Sequence, residues 1–137
     1  MRAVGLEAAA VEAPDLRATI EFREVVYRLG SAFASSDTPG VDDVAALNRV
    51  AGSGGATLAL GEDGRAVWVL ESVADALSVI AQDAIRVFDA RATAPTRVCE
   101  GPGCAGLFVD GSRGRNRRWC SMNTCGNRIK KARLAAK

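Results

Sequence analysis

Four cysteines, the only ones in this chain of 137 residues, lie within one short segment, and their clustering constrains the fold more than any other feature. They form two equally spaced pairs, Cys99-x4-Cys104 and Cys120-x4-Cys125. Two such pairs can bring four thiolates to one tetrahedral zinc ion if the chain between them folds back. The spacing therefore predicts one structural zinc ion, with two disulfides or an iron–sulfur cluster as the alternatives.

The chain offers little that could support catalysis. It has no histidine and no cysteine outside this segment, so it lacks the commonest general base and any spare thiol nucleophile. Four thiolate ligands would leave no open position on a zinc ion for water. We therefore expect no catalytic residues and no enzyme activity, and a catalytic zinc with only three cysteine ligands is the weakest alternative.

The sequence gives no sign of membrane insertion or export. No run of eighteen apolar residues occurs, and the N-terminus lacks the basic and apolar regions of a signal peptide. We therefore expect a cytoplasmic protein with no membrane partner. In that reducing compartment, clustered cysteines are more often metal ligands than disulfides.

Charge is distributed unevenly along the chain. Residues 1–96 contain 8 Lys+Arg and 14 Asp+Glu, for a net charge of −6, whereas residues 97–137 contain 10 and 2, for a net charge of +8. A zinc ion held by four thiolates would lower the second value to about +6. A basic segment on an acidic body indicates a polyanionic partner, although some arginines could serve only to neutralise the thiolates.

The residues around the second cysteine pair form a recognisable motif. They read Arg117-Arg118-Trp119-Cys120-Ser121-Met122-Asn123-Thr124-Cys125-Gly126-Asn127-Arg128. This motif resembles the CGNR zinc finger family, whose name is spelled by residues 125–128, and Leu107-Phe108-Val109-Asp110 after the first pair also fits that family. The resemblance covers about the last forty residues. It implies a zinc-stabilised, DNA-binding finger.

The same resemblance implies the nature of the whole protein. It points to a bacterial chain that is similar to ABATE-type, stress-linked transcription regulators. Members of that type carry more sequence before the first helix, so the resemblance implies a shortened N-terminal part. It also implies that the N-terminal domain senses a small-molecule effector or makes subunit contacts.

The pattern of residues 1–94 predicts a mainly helical domain with a small β-hairpin. Helices are expected from Pro14, from Asp42 and after Ser72, where Asp75 completes a helix cap. Two apolar stripes on the first helix predict burial around much of its circumference. The hairpin is expected at residues 57–60 and 66–70, and residues 1–13 as a frayed end.

Residues 95–137 are expected to form a small treble-clef-like finger with four cysteine ligands, so the fold class is α+β. Residues 107–109 and 117–119 are expected to pair as strands. Ser121 is expected to cap a final helix with Cys125 in its first turn. The apolar side of that helix is expected to dock through Ile129, Ala132 and Ala136.

The basic residues of the finger are the candidate nucleic-acid contacts. We expect phosphate contacts from the cations of the loop and of the final helix: Arg113, Arg115, Arg117, Lys130, Lys131, Arg133 and Lys137. Arg118, Asn127 and Arg128 are candidates for the same role, but they lie beside the ligands and could instead hydrogen-bond the thiolate sulfurs or brace the finger. Five or six phosphate contacts predict a slope of log K against log[salt] of roughly −4.5 to −5.5.

The leading hypothesis is a zinc-binding transcription regulator whose finger binds double-stranded DNA. A single small finger buries little surface, so specific binding is expected to require a homodimer or another domain. The alternative is a zinc-stabilised RNA-binding or protein-interaction module without sequence-specific DNA binding.

Overall fold

Helices and short strands alternate along the part of the chain that the computed structural model describes, residues 2–4 and 11–135. In chain order they are β1 (Arg2–Val4), α1 (Ala13–Ser35), α2 (Val41–Ala51), β2 (Thr57–Leu60), β3 (Ala66–Val69), α3 (Val73–Asp89), β4 (Thr96–Val98), β5 (Leu107–Val109) and α4 (Asn127–Ala135). The expected α+β class is therefore confirmed, as are the first three helices and the first hairpin.

Backbone contacts divide the chain into two compact units. The first unit comprises Met1–Val26 and Gly40–Ile85, and the second comprises Tyr27–Pro39 and Arg86–Lys137. Helices α1 and α3 therefore each contribute residues to both units. The core of the first unit contains the buried side chains of Phe22, Leu47, Leu70, Leu77 and Ala81.

Helix α1 begins as expected, with Pro14 in its first turn, but it is less buried than its two apolar stripes suggest. Leu16 and Ile20, from the second stripe, are 58% and 42% exposed. The expectation of burial around most of the helix is therefore wrong, because only one stripe faces a core. Neither α1 nor any other described helix is both long and apolar enough to span a membrane.

The start of α3 carries the helix cap expected from the sequence. The Asp75 N–H donates to Ser72 Oγ at 3.1 Å, and the Ser72 N–H donates to Asp75 Oδ2 at 2.9 Å. The N–H groups of Glu71 and Gly55 also donate to the Asp75 carboxylate, at 2.8 and 2.6 Å. These donors lower the pKa of Asp75, and they tie the segment before β2 to the start of α3.

The first sheet has a third strand that the sequence analysis did not predict. Residues 2–4 form β1, which pairs parallel to β3 with Arg2 opposite Val67 and Val4 opposite Val69, so the strand order is β1-β3-β2. The expectation of a frayed end is therefore wrong for residues 2–4, because the open edge of β3 orders them. Residues 1 and 5–10 of that expectation lie outside the described residues.

The second unit is built around the C-terminal half of α1. Leu29 is almost completely buried, and the Phe33 and Phe88 rings pack with their centroids 5.0 Å apart. The Tyr27 hydroxyl donates to the Ala105 carbonyl at 3.0 Å. A Cβ at Gly30 would lie 2.7 Å from Leu107 Cδ1, so α1 and the Leu107 side chain approach closely at this glycine. The cysteine segment therefore packs against α1.

The strands of the finger pair differently from the expectation. Strand β4 pairs antiparallel with β5, with Thr96 opposite Val109 and Val98 opposite Leu107. Residues 117–119 are not a strand, although the Glu100 N–H donates to the Arg118 carbonyl at 3.0 Å. The expected pairing of 107–109 with 117–119 is therefore wrong, because β5 pairs with residues 96–98 and the backbone of residues 117 and 118 bonds instead to the Asp110 carboxylate and to the Glu100 N–H.

Candidate metal centre and nucleic-acid interface

The first cysteine pair lies in the connection of a hairpin. Cys99 directly follows β4, and the chain turns back through Cys104 before β5 begins. The Cys99 N–H donates to the Gly106 carbonyl, and the Cys104 N–H donates to the Gly101 carbonyl, both at 2.9 Å. Gly103 has a positive φ of 68°, which side chains rarely tolerate. Backbone hydrogen bonds therefore fix both thiols on one side of the turn.

The second pair lies at the start of the C-terminal helix. Ser121 caps a π-helical turn, Met122–Gly126, by accepting the Thr124 N–H at 3.3 Å, so the expected cap is confirmed. Cys125 lies in this turn, and α4 follows directly at Asn127. The cap therefore sets where Cys125 lies relative to Cys120.

The four sulfur atoms converge at one point. All four Sγ atoms lie within 4.8 Å of one another. The Cys104–Cys120 and Cys120–Cys125 Sγ distances are 3.8 and 3.7 Å. Tetrahedral zinc with bonds of about 2.3 Å places its sulfurs about 3.8 Å apart, whereas a disulfide joins sulfurs at about 2.05 Å. The four free thiols thus fit one structural zinc ion.

The environment of the sulfurs favours a bound cation. Cys99 and Cys125 are buried. Burial opposes ionisation of Cys99, but the N–H groups of Cys120 and Gly101 donate to its sulfur and lower its pKa to about 7. Contact with the Cys104 thiol and burial raise the pKa of Cys125 to about 12. Without a cation, therefore, the surroundings favour ionisation of Cys99 and oppose ionisation of Cys125. A divalent cation would stabilise all the thiolates together.

The sequence analysis missed one residue that organises the basic loop, residues 110–116 after β5. Asp110 is completely buried, and its Oδ1 accepts the Ser112 hydroxyl at 2.6 Å and the Ser112 N–H at 3.1 Å. Its Oδ2 accepts the Arg117 N–H at 2.9 Å and Arg97 Nε at 3.2 Å. These interactions, led by the Ser112 hydroxyl, lower the pKa of Asp110. An aspartate two residues before a serine, at the start of a loop, was the available signal.

Two candidate phosphate-binding arginines use their guanidinium groups inside the finger. Arg117 donates to the Trp119 carbonyl at 2.8 Å and to the Cys120 carbonyl, and it lies 5.0 Å from the Phe108 ring centroid. Arg115 donates to the Ala92 carbonyl at 2.9 Å. The Arg115 carbonyl in turn accepts Arg97 Nη2 at 2.6 Å. Both arginines therefore help to hold the loop in place.

The three residues beside the ligands also have partners within the finger. Arg118 forms an ion pair with Glu100 at 2.5 Å and lies 5.5 Å from the Trp119 ring centroid. Arg128 Nη1 donates to the Pro102 carbonyl at 3.3 Å, and Asn127 Nδ2 donates to the Asn123 carbonyl at 3.3 Å. The sulfur-directed N–H donors come instead from the backbone, at Gly101 and Cys120.

The remaining candidates are exposed cations. Among the described residues, none of the following makes an ion pair or a side-chain hydrogen bond: Arg113, Lys130, Lys131 and Arg133. Lys137 lies outside the described residues. The exposed cations belong to the tip of the loop and to α4.

Helix α4 docks less than expected. Ile129 is half-buried, but Ala132 is exposed and Leu134 is 73% exposed. The expected docking through Ala132 is therefore wrong, because so short a basic helix carries only one apolar residue that reaches the finger. Ala136 lies outside the described residues. The helix instead presents its cations to solvent.

Comparisons with known proteins agree with this geometry. Residues 96–137 match the CGNR zinc finger family, and residues 1–91 match the ABATE family, described as "Putative stress-induced transcription regulator". No curated protein gives a significant match. The first match covers the cysteine cluster, and the second covers about two thirds of the chain. The chain therefore belongs to the ABATE family of putative stress-induced transcription regulators and ends in a CGNR zinc finger that holds one structural zinc ion.

Proposed function

We propose that this protein is a bacterial, cytoplasmic transcription regulator whose finger binds the phosphates of double-stranded DNA. The observation that carries the proposal is the group of exposed cations without partners in the described part of the finger: Arg113, Lys130, Lys131 and Arg133. Residues 97–137 carry 10 Lys+Arg and only 2 Asp+Glu. Cations without internal partners are free to replace the counterions of DNA.

In this proposal the metal shapes the finger and does not contact DNA. Its ligands are the four clustered thiolates, Cys99, Cys104, Cys120 and Cys125. Structural zinc sites in small fingers contribute about 10–16 kcal/mol of binding free energy, which is also folding free energy. The ion would therefore hold the hairpin β4–β5 against the start of α4 and so fix where the cations lie.

The arginines with internal partners have a bracing role in this proposal. Arg115, Arg117, Arg118 and Arg128 each donate to a carbonyl or a carboxylate of the finger. Each guanidinium has five N–H donors, so donors remain for a second contact, to phosphate. Their main contribution is to hold the surface that presents the free cations.

Fluorescence anisotropy tests this proposal. The zinc-loaded protein would be titrated into labelled duplex DNA, single-stranded DNA and a structured RNA across a salt series. We expect salt-dependent binding that is tightest for the duplex. Tighter binding to RNA, or no retention of any nucleic acid at low salt, would contradict the proposal and favour the RNA-binding or protein-interaction alternative.

The oligomeric state belongs to the same proposal. A single finger buries too little surface for high specificity, so we propose that two copies of the chain act on one DNA site. Sedimentation of the protein alone and on a duplex would show two chains per DNA. One chain per DNA at saturation would remove the dimer and leave the binding proposal intact.

A further inference from the structure

The second unit contains a cleft that the DNA-binding proposal does not use. It has a volume of about 500 Å³ and lies where the end of α1 meets the segment between α3 and β4. Its lining includes Phe33, Ser36, Asp37, Arg91, Pro95 and Thr96. Small-molecule sites commonly have volumes of about 300–1,000 Å³. The size of the cleft therefore suits a metabolite.

Two opposite charges line this cleft without pairing with each other. No ion pair joins Asp37 and Arg91 in the described part of the chain. Arg91 donates to the Phe88 carbonyl at 2.8 Å through Nη1, and its guanidinium carbon lies 5.0 Å from the Phe33 ring centroid. These two contacts hold the guanidinium beside the Phe33 ring and leave its other N–H donors available. The cleft therefore offers a cation and a separate carboxylate.

The end of α1 determines where Asp37 lies. Ser36 has a positive φ of 60° and lines the cleft. The Asp37 N–H donates to the Ala32 carbonyl at 2.8 Å, and the Ser36 N–H donates to the Phe33 carbonyl at 3.3 Å. These are the hydrogen bonds of a Schellman cap, with which many helices end, and they account for the positive φ. This cap places Asp37 on the wall of the cleft.

We propose that this cleft binds a small zwitterion that carries a carboxylate and an ammonium group, the chemistry of a free α-amino acid. Arg91 would receive the carboxylate, and Asp37 would receive the ammonium group. The proline and phenylalanine walls would contact an apolar side chain of the ligand. This proposal does not depend on DNA binding, so either can fail alone.

Isothermal titration calorimetry on the full zinc-loaded chain tests the charge requirement. The probes are L-leucine, L-leucinamide, which lacks the carboxylate, and N-acetyl-L-leucine, which lacks the ammonium group. We expect L-leucine to bind, and each analogue to bind roughly tenfold more weakly, because each loses one charge-assisted pair. Equal affinities for the three probes, or no heat from any of them at millimolar concentration, would overturn the proposal.

Substitutions assign each charge to its residue. Arg91→Gln should weaken L-leucine roughly tenfold and leave L-leucinamide unchanged, whereas Asp37→Asn should weaken L-leucine and leave N-acetyl-L-leucine unchanged. Arg17→Gln and Asp83→Asn are matched controls, because both side chains are exposed and lie outside this cleft. If the two cleft variants keep wild-type affinity for L-leucine, the assignment is wrong.

Discussion

At Gly101 the metal centre leaves little room for a side chain. A Cβ there would lie 3.1 Å from Cys125 Cβ, 3.2 Å from Cys125 Sγ and 3.4 Å from Cys99 Sγ. To accommodate it, Cys99 or Cys125 would have to shift by a few tenths of an ångström, which displaces a sulfur. The close approach of the two cysteine loops therefore favours glycine at this position.

Gly101→Ala should accordingly weaken zinc binding by about tenfold, because it shifts a ligand without removing one. Competition with a chromophoric chelator measures this change. Gly111→Ala is the matched control, since a Cβ at Gly111 meets no described atom within 4 Å. Equal zinc affinity for the two variants would contradict the packing seen at Gly101.

Asp110 acts on the basic loop and not on the metal. Asp110→Asn removes the charge that accepts Arg97 Nε, the Arg117 N–H and the Ser112 donors. We expect a Tm several degrees lower and several-fold weaker DNA binding, with one zinc ion per chain retained. Thermal unfolding, anisotropy and metal analysis measure the three quantities. Loss of zinc in this variant would show that the loop and the metal site are not separable.

Asp75 should contribute to stability with a defined pH dependence. Its pKa is lowered in the folded state, so its contribution is present above the unfolded-state value of about 3.9 and is lost as pH falls through the lowered value. Asp75→Asn should therefore be less stable than the wild type by a constant amount between pH 6 and pH 8, and the difference should shrink below about pH 4.

Urea unfolding of both proteins at each pH gives this difference. Loss of zinc in acid affects both proteins equally, so it cancels in the comparison. A gap between wild type and variant that widens in acid would contradict the hydrogen bonds assigned to the Asp75 carboxylate.

At the scale of elements, Lys130, Lys131 and Arg133 make α4 the principal DNA-binding element of the proposed function. Replacing all three with glutamine should weaken duplex binding and make the salt slope less steep by about 2.7, with zinc content unchanged. Anisotropy in a salt series measures both quantities. The control is a triple glutamine variant at Arg17, Arg65 and Arg86, which has the same net charge as the α4 variant. Equal effects of the two triple variants would mean that only net charge matters.

Local patterns predicted the elements that depend on local sequence. The capping pair Ser72 and Asp75 and the spacing of apolar residues located α3, and turn residues located the hairpin β2–β3. The zinc cluster was predictable for the same reason, since the spacing of thiols is a property of sequence alone. The division of the chain at residues 94 and 95 stays a prediction.

Pairings between distant segments could not be predicted in this way. Strand β1 has three residues, too few to show a period, and only the open edge of β3 orders it. The predicted partner of β5 was wrong because residues 96–98 and 117–119 both have a composition that suits a strand. Tertiary packing decides which of them pairs with β5. The role of Asp110 was missed because it depends on burial. The contacts of its carboxylate with Arg97 and with the Arg117 N–H form only when the finger is folded.

At the scale of the whole molecule, the metal should control the finger but not the helices of the first unit. Removal of zinc with a strong chelator should abolish duplex binding and reduce the circular dichroism signal only in part, because the core around Phe22 and Leu77 contains no metal ligand. Adding zinc back should restore both. Unchanged binding after complete removal of the metal would contradict the proposed function.

The number of free cations also sets the salt dependence of the whole protein. Four cations have no internal partner in the described finger, so the slope of log K against log[salt] should be about −3.6. This is shallower than the slope of roughly −4.5 to −5.5 expected for five or six phosphate contacts. A measured slope near about −5 would show that the bracing arginines, or Lys137, also replace counterions.

Two anchors of the basic loop are backbone carbonyls, at Ala92 for the Arg115 side chain and at Pro95 for the Asp110 N–H. Every amino acid has a carbonyl, so most replacements at these acceptor positions leave the anchor intact. The donor side chain of Arg115 has no such redundancy. Family members should therefore vary at positions 92 and 95 and keep arginine at position 115. A saturation mutagenesis screen for regulator activity should likewise tolerate most substitutions at 92 and 95 and few at 115.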